Sequence, residues 1–367
     1  MPRVALARLV AAVVLVGLLA GSAALLRFAL PAGAVSGPGT GATSPSPTLA
    51  PAQPVGAPAG SERAQFAGTI LFAREGRIWS VSADAFRAVT NGGRDSWPVW
   101  SPDGRGMWFI RTRTEVAVAP YEGKFKKTTL DYPTLMSAAA DGAPRAVFNS
   151  LIDLPGPPNA KYFVQVVQPS ISPDGKMFAL ASDAANPLAG DVTLSTLASS
   201  GGRIRNLGVR SERGTGHNDP AWSPDGRRIA FTYDAGDGRL GLPRIGVYVV
   251  ASRAMKLIGP SGFANPSWSP DGRHLVVERA DGKGRDLAVL DATTGTVVRR
   301  LTTDGRSFAP TFSPDGSQIA YLHVERAAAD IRILTLVPDD TFGVSADRPV
   351  TADGHVDPDS GLSWAAP

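Results

Sequence analysis

One seven-residue phrase recurs along this chain and constrains its fold more than any other feature. It reads Pro98-Val-Trp-Ser-Pro-Asp-Gly104, Pro169-Ser-Ile-Ser-Pro-Asp-Gly175, Pro220-Ala-Trp-Ser-Pro-Asp-Gly226, Pro266-Ser-Trp-Ser-Pro-Asp-Gly272 and Pro310-Thr-Phe-Ser-Pro-Asp-Gly316. A sixth, shortened copy closes the sequence at Leu362-Ser-Trp-Ala-Ala-Pro367. Counted at the third position of the phrase (residues 100, 171, 222, 268, 312 and 364), successive copies lie 71, 51, 46, 44 and 52 residues apart. Repeats near 45 residues, each holding four short strands, mark the blades of a β-propeller.

The physical chemistry of one unit explains the phrase. A short strand A ends at Trp-Ser, and Ser-Pro-Asp-Gly turns the chain. Proline presets φ, aspartate bonds the backbone ahead, and glycine accepts positive φ. Strand B follows as an almost unbroken apolar run, as in Ile229-Ala-Phe-Thr232 and Ile319-Ala-Tyr-Leu322, which is the pattern of a strand buried on both faces. Strand C alternates more, as in Ile331-Arg-Ile-Leu-Thr-Leu336. Strand D is expected to be basic, carrying Arg87, Arg145, Arg203, Arg205, Lys256, Arg299, Arg300 and Arg348. Cationic outer strands protect an exposed sheet edge from pairing with another chain. The last copy lacks strands B to D, and the stretch from Thr69 supplies them. The expected fold is therefore all-β, a six-bladed β-propeller over 66–367 closed by pairing the two ends of the chain in one blade. The 71-residue gap leaves an excess of about 20–25 residues, expected as an excursion within 120–167.

The phrase Pro-x-Trp-Ser-Pro-Asp-Gly-x-x-Ile-Ala-Phe resembles the TolB-type (WD-like) β-propeller repeat, over residues from about 66 to 367. The resemblance implies a protein of the bacterial cell envelope, and TolB itself is a periplasmic member of an envelope complex.

The N-terminus points the same way. Arg3 and Arg8 precede an uncharged stretch from Leu9 to Leu26, and a helix of 18 residues would span about 27 Å, close to the hydrocarbon thickness of a bilayer. Ala32-Gly33-Ala34 also offers a cleavage pattern, so residues 1–30 read as an anchor or as a signal peptide. Either leaves Arg3 and Arg8 on the cytoplasmic side and exports the remainder, to the periplasm or the extracellular space. Residues 31–65 read as an extended tether: 31–60 hold seven Pro, six Gly and seven Ala with no charge.

Composition narrows the chemistry. With no cysteine, disulfides, thiolate metal sites, cysteine nucleophiles and a lipidated cysteine are excluded. Beyond residue 60 the chain has 34 basic against 33 acidic residues, so nothing asks for nucleic acid. No nucleophile elbow, zinc-protease helix or Walker loop is present. The repeated Ser101, Ser172, Ser223, Ser269 and Ser313 occupy one turn position and are read as turn residues. No cofactor is implied, and whether a metal binds stays open.

One candidate site remains. The residues one and three before each strand-A proline lie where the D–A connections emerge around the central channel. They include Asp95, Gln168, His217, Asp219 and Asn265, with Asp359 in the last copy and Arg94 and Arg306 flanking them. They either cap turns or form a polar ring for a ligand or partner. Two functional classes follow: a non-catalytic, membrane-tethered scaffold with an envelope or extracytoplasmic protein partner, expected as a monomer, or a channel-mouth lyase or hydrolase acting on envelope or extracellular polymer.

Overall fold

The computed structural model describes residues 63–367 except 140–141, 186, 188–191, 211–215, 235–240, 281–283 and 327. The apolar stretch and the tether expected before residue 63 lie outside the described residues. Within them, six four-stranded antiparallel sheets form, each ordered from an inner strand A to an outer strand D. The inner strands are Asp95–Trp100, Val167–Ile171, Asn218–Trp222, Phe263–Trp268, Ser307–Phe312 and Ser363–Ala365. We number the blades 1 to 6 from the N-terminus. Blade 1 is composite: Ser363–Ala365 pairs with Thr69–Arg74 through Thr69 opposite Ala365 and Ile70 opposite Trp364, and Arg77–Val81 and Phe86–Ala88 complete it.

The apolar B strands sit where two blades press together. Six clusters of buried side chains fill the six gaps between neighbours. Between blades 1 and 2, for instance, Leu71, Ala73 and Ile78 meet Met107, Phe109 and Met136. Each fully buried Phe or Leu contributes roughly 1.5–3 kcal/mol by leaving water, which explains why strand B has no polar face to alternate with.

The Ser-Pro-Asp-Gly turns are near copies of one another. In all five, the serine hydroxyl donates to aspartate Oδ1 at 2.5–2.6 Å, and that oxygen also accepts the amide two residues on at 3.0–3.1 Å. The serine oxygen accepts the amide five residues on at 2.8–3.0 Å, closing the A–B connection. The turn glycines have φ between 67° and 76°, a region that side chains rarely adopt. Four of them lie against the turn proline of the preceding blade. Thus the turns ring one face of the propeller, and the D–A connections and B–C turns emerge on the other.

Two expectations need correction. Arg203 precedes the outer strand of blade 3, which is only Arg205–Asn206. The extra residues of the 71-residue gap are not one excursion within 120–167. They are divided between a lengthened B–C hairpin of blade 2, Gly106–Tyr121 paired with Lys124–Ala139, and a small separate hairpin, Leu151–Asp153 with Lys161–Phe163. The growth begins before residue 120 because Thr112 to Ala119 keeps a β-favouring, alternating composition and simply prolongs the strand.

Candidate functional site

The inner strands of blades 2 to 6 each carry a bulge at their proline. Register shifts occur between Ser96 and Val99, Val167 and Ser170, Asn218 and Ala221, Ala264 and Ser267, and Phe308 and Thr311. The residue before the proline takes up the extra length in a left-handed conformation: Trp97, Gln168, Asp219, Asn265 and Ala309 have φ between 46° and 53°, and Gly361, at 62°, is the equivalent in blade 1. Such a conformation costs about 1–2 kcal/mol for a residue with a Cβ, so five strained residues around one ring indicate a demanded geometry. All six line a central cavity of about 610 Å³.

The bulge separates two positions that plain strand alternation would place on one face. Those three before the proline turn away from the channel into the gaps between blades. Asp95 is 2% exposed, and Arg111 grips it through Nε at 2.7 Å and Nη2 at 2.8 Å. His217 is 1% exposed, stacked on Tyr233 at 4.8 Å and edge-on to Phe231 at 5.4 Å, with its Nδ1 accepting the Asp234 amide. The flanking arginines do not reach the channel either. Arg94 is held by Asp131 at 2.7 and 2.8 Å and by Thr114 at 2.8 Å, and Arg306 reaches toward Glu325 at 3.8 Å. Of the residues expected around one opening, Gln168, Asp219, Asn265 and Asp359 line the cavity.

Three of these belong to one hydrogen-bonded arc across blades 3 to 6. Gln168 Nε2 donates to Asp219 Oδ1 at 2.5 Å, and the Asp219 amide donates back to Gln168 Oε1 at 3.0 Å. Thr232 Oγ1 donates to Asp219 Oδ2 at 2.7 Å and accepts the Asn265 amide at 2.8 Å. The Ala309 amide approaches Glu278 Oε2 at 3.5 Å, and Arg285 Nε lies 3.3 Å from Glu278 Oε1. In blades 4 to 6, then, the strained residue's amide points at a polar group of the preceding blade.

Glu278 and Arg285 escape sequence reasoning based on the D–A connections. Glu278 had a visible signal, because Leu275-Val-Val-Glu278 breaks an apolar B strand with a charge at the position that Thr232 occupies in blade 4. Arg285 had none, since arginines are scattered over the surface. Burial pushes the Glu278 carboxyl up to about 7, with Arg285 acting in the opposite direction and the nearby Asp219 adding to the rise. Burial also raises Asp219, against the pull of Thr232 and Arg285.

The opposite wall, from blades 6, 1 and 2, is apolar at Trp97, Phe308, Ala309 and Leu362, with Asp359 at its rim. Among the described residues no three His, Asp or Glu side chains converge. The cavity offers an arc of hydrogen-bonding groups with two acids and one guanidinium, facing an apolar wall. That arrangement suits a short amphipathic segment or a polar small molecule.

Three comparisons place this geometry among known proteins. A family model described as the TolB beta propeller domain matches residues 159–342, half of the chain. A protein TolB homolog of Chlorobium luteolum is 30% identical over 118 residues, which is 32% of this chain and 26% of that protein's own length. Among solved structures, a presumed TolB of Agrobacterium tumefaciens is similar with a TM-score of 0.56 at 17% identity, covering 82% of this chain and 94% of that one. TolB of Acinetobacter baumannii gives 0.54 at 20% identity, covering 81% of this chain and 66% of that one. At these identities the two structures establish the fold alone.

Proposed function

This chain belongs to the TolB β-propeller family, and from that premise we propose that it is a non-catalytic binding scaffold of the cell envelope, working on the extracytoplasmic side. Residues 1–30 act as its membrane anchor or export signal, and 31–65 tether the propeller of 66–367. A partner is held at the channel mouth through Gln168, Asp219, Asn265 and Glu278, with the apolar wall and Asp359 completing the contact. The observation that carries this reading is the set of strained, non-repeated residues before the prolines. A scaffold that needed only stability would relieve that strain with glycine or asparagine in every blade. The scaffold reading is favoured over a catalytic one because protein donors already hold both carboxylates: Thr232 and Gln168 on Asp219, Arg285 on Glu278.

Crosslinking in intact cells followed by recovery of the chain tests it. The wild-type chain is expected to carry a discrete envelope protein, and the Asp219→Ala/Asn265→Ala variant is expected to lose it while still unfolding cooperatively. Undiminished recovery by a folded variant would refute the site.

A further inference from the structure

The lengthened hairpin of blade 2 is the least propeller-like part of the molecule. Its strands are 16 residues each, where those of the other blades have two to nine. At about 3.3 Å per residue, the ten residues from Thr112 to Tyr121 carry its tip roughly 30 Å beyond the blade. Strand B runs away from the Ser-Pro-Asp-Gly face, so the arm rises on the channel-mouth side.

The arm is braced. One of its faces packs on the small hairpin of 151–163, burying Ala117, Ala119 and Leu130 against Leu151 and Phe163. Lys161 holds Glu115 at 2.9 Å, Asn159 Nδ2 donates to the Val116 carbonyl at 3.0 Å, and Arg94 clamps Asp131 at the base. The two acids of the lower arm are therefore neutralised locally. The tip is different. Between Tyr121 and Lys127 it presents Tyr121 and Phe125, each 44% exposed, together with Lys124, Lys126 and Lys127 and the single acid Glu122. Lys126 lies 5.4 Å from the Tyr121 ring centre, so cation and ring project from the same side of the tip.

From this geometry we propose that the tip of the blade 2 arm rests on an anionic phospholipid surface, its rings entering the headgroup region and its ammonium groups meeting lipid phosphates. Three features favour a membrane over a protein partner. The tip is convex and narrow, whereas a stable protein interface buries about 800 Å² on each side. Aromatic rings beside lysines are the side chains that bridge apolar and charged layers at a bilayer surface. A net charge of +2 over seven residues, on a domain that is otherwise nearly neutral, is complementary to anionic headgroups. Each lysine close to such a surface strengthens attachment about fivefold, so reversing all three should weaken it at least 100-fold. The proposal does not depend on what the channel binds.

The natural absence of cysteine makes the test direct. The full chain carrying Glu122→Cys is labelled with an environment-sensitive fluorophore and mixed with vesicles of phosphatidylglycerol and phosphatidylcholine, or of phosphatidylcholine alone, containing nitroxide-labelled lipid. An Asp225→Cys label on the opposite face is the control. The label at 122 should be quenched in anionic vesicles and far less in neutral ones, and the label at 225 in neither. Adding Lys124→Glu, Lys126→Glu and Lys127→Glu should abolish quenching at 122 without altering the far-ultraviolet circular dichroism. Equal quenching in both lipids, quenching that survives the triple charge reversal, or no quenching at 122 would each overturn the proposal. The last outcome would return the tip to the class of protein contacts. Membrane attachment through the N-terminus, which carries Arg3 and Arg8, cannot imitate the expected result, because it would survive the reversal of Lys124, Lys126 and Lys127.

Discussion

The two faces of the ring are built on opposite rules. On one, five Ser-Pro-Asp-Gly turns repeat the same hydrogen bonds to within about 0.2 Å, and the residues making them are identical from blade to blade. On the other, one backbone conformation recurs six times but carries Trp97, Gln168, Asp219, Asn265, Ala309 and Gly361. Repetition of residue and geometry together marks a part that holds the ring. Repetition of geometry with changing residues is, in our proposal, the part that presents chemistry, since the bulge shared by blades 2 to 6 costs strain and each of those blades uses it to aim a different side chain. Substitutions on either face separate the two roles.

The largest effect is expected where the ring closes. Deleting residues 361–367 removes the strand paired with Thr69–Arg74, the Trp364 indole bond to the Ala67 carbonyl at 2.9 Å and the edge-on contact with Phe66 at 5.7 Å. Stability should fall by several kcal/mol. Calorimetry showing an unchanged melting temperature would separate closure from the stability of the blades.

Next comes His217→Ala, which tests the split made by the bulge. Sealed against Phe231 and Tyr233, this ring should be worth about 2–4 kcal/mol, while Asn265→Ala on the channel side should lose under about 1 kcal/mol. Equal losses in urea titrations would erase the distinction between the two positions.

The channel face should also show in the pH dependence. The Glu278 carboxyl sits near 7 when folded, above its ordinary 4.5, so its contribution is fully present below about 4.5 and is lost as pH rises through 7. Glu278→Gln should therefore be nearly neutral at pH 5 and stabilising by about 2 kcal/mol at pH 8, read from denaturation midpoints at both. Asp183, raised to about 6 mainly by burial, should leave part of the slope in place.

The turn face should answer with the opposite sign. The serine hydroxyls hold Asp103, Asp174, Asp225 and Asp315 below the ordinary aspartate value. What they contribute is present above about 3.8 and is lost as pH falls through their lower folded values. Asp225→Ala should lower stability at pH 7 by about 1 kcal/mol and soften the acid transition.

These rules also explain what could be read from residue types. The turn face, the B strands and the six-blade count were legible because Ser-Pro-Asp-Gly and apolar runs specify local structure wherever they occur. The split between Asp95 and His217 on one side and Gln168, Asp219 and Asn265 on the other was not. It depends on a bulge whose central residue ranges from Trp97 to Ala309, so no residue type announces it. Glu278 was within reach as a charge in an apolar run, but Arg285 and the bracing of Arg94 by Asp131 are tertiary facts. The length of the blade 2 arm was countable, but its division between two hairpins was not.

Whether the mouth presents chemistry while the turns hold the ring is decided by one paired measurement. Asp219→Ala/Asn265→Ala and Asp225→Ala/Asp271→Ala are compared with the wild-type chain for melting temperature and for partner recovered by crosslinking in cells. The mouth pair should stay folded and lose the partner, while the turn pair, at about 1 kcal/mol per site, should melt lower by about 3 °C and retain it. A turn pair that loses the partner while the mouth pair keeps it would assign binding to the turn face instead.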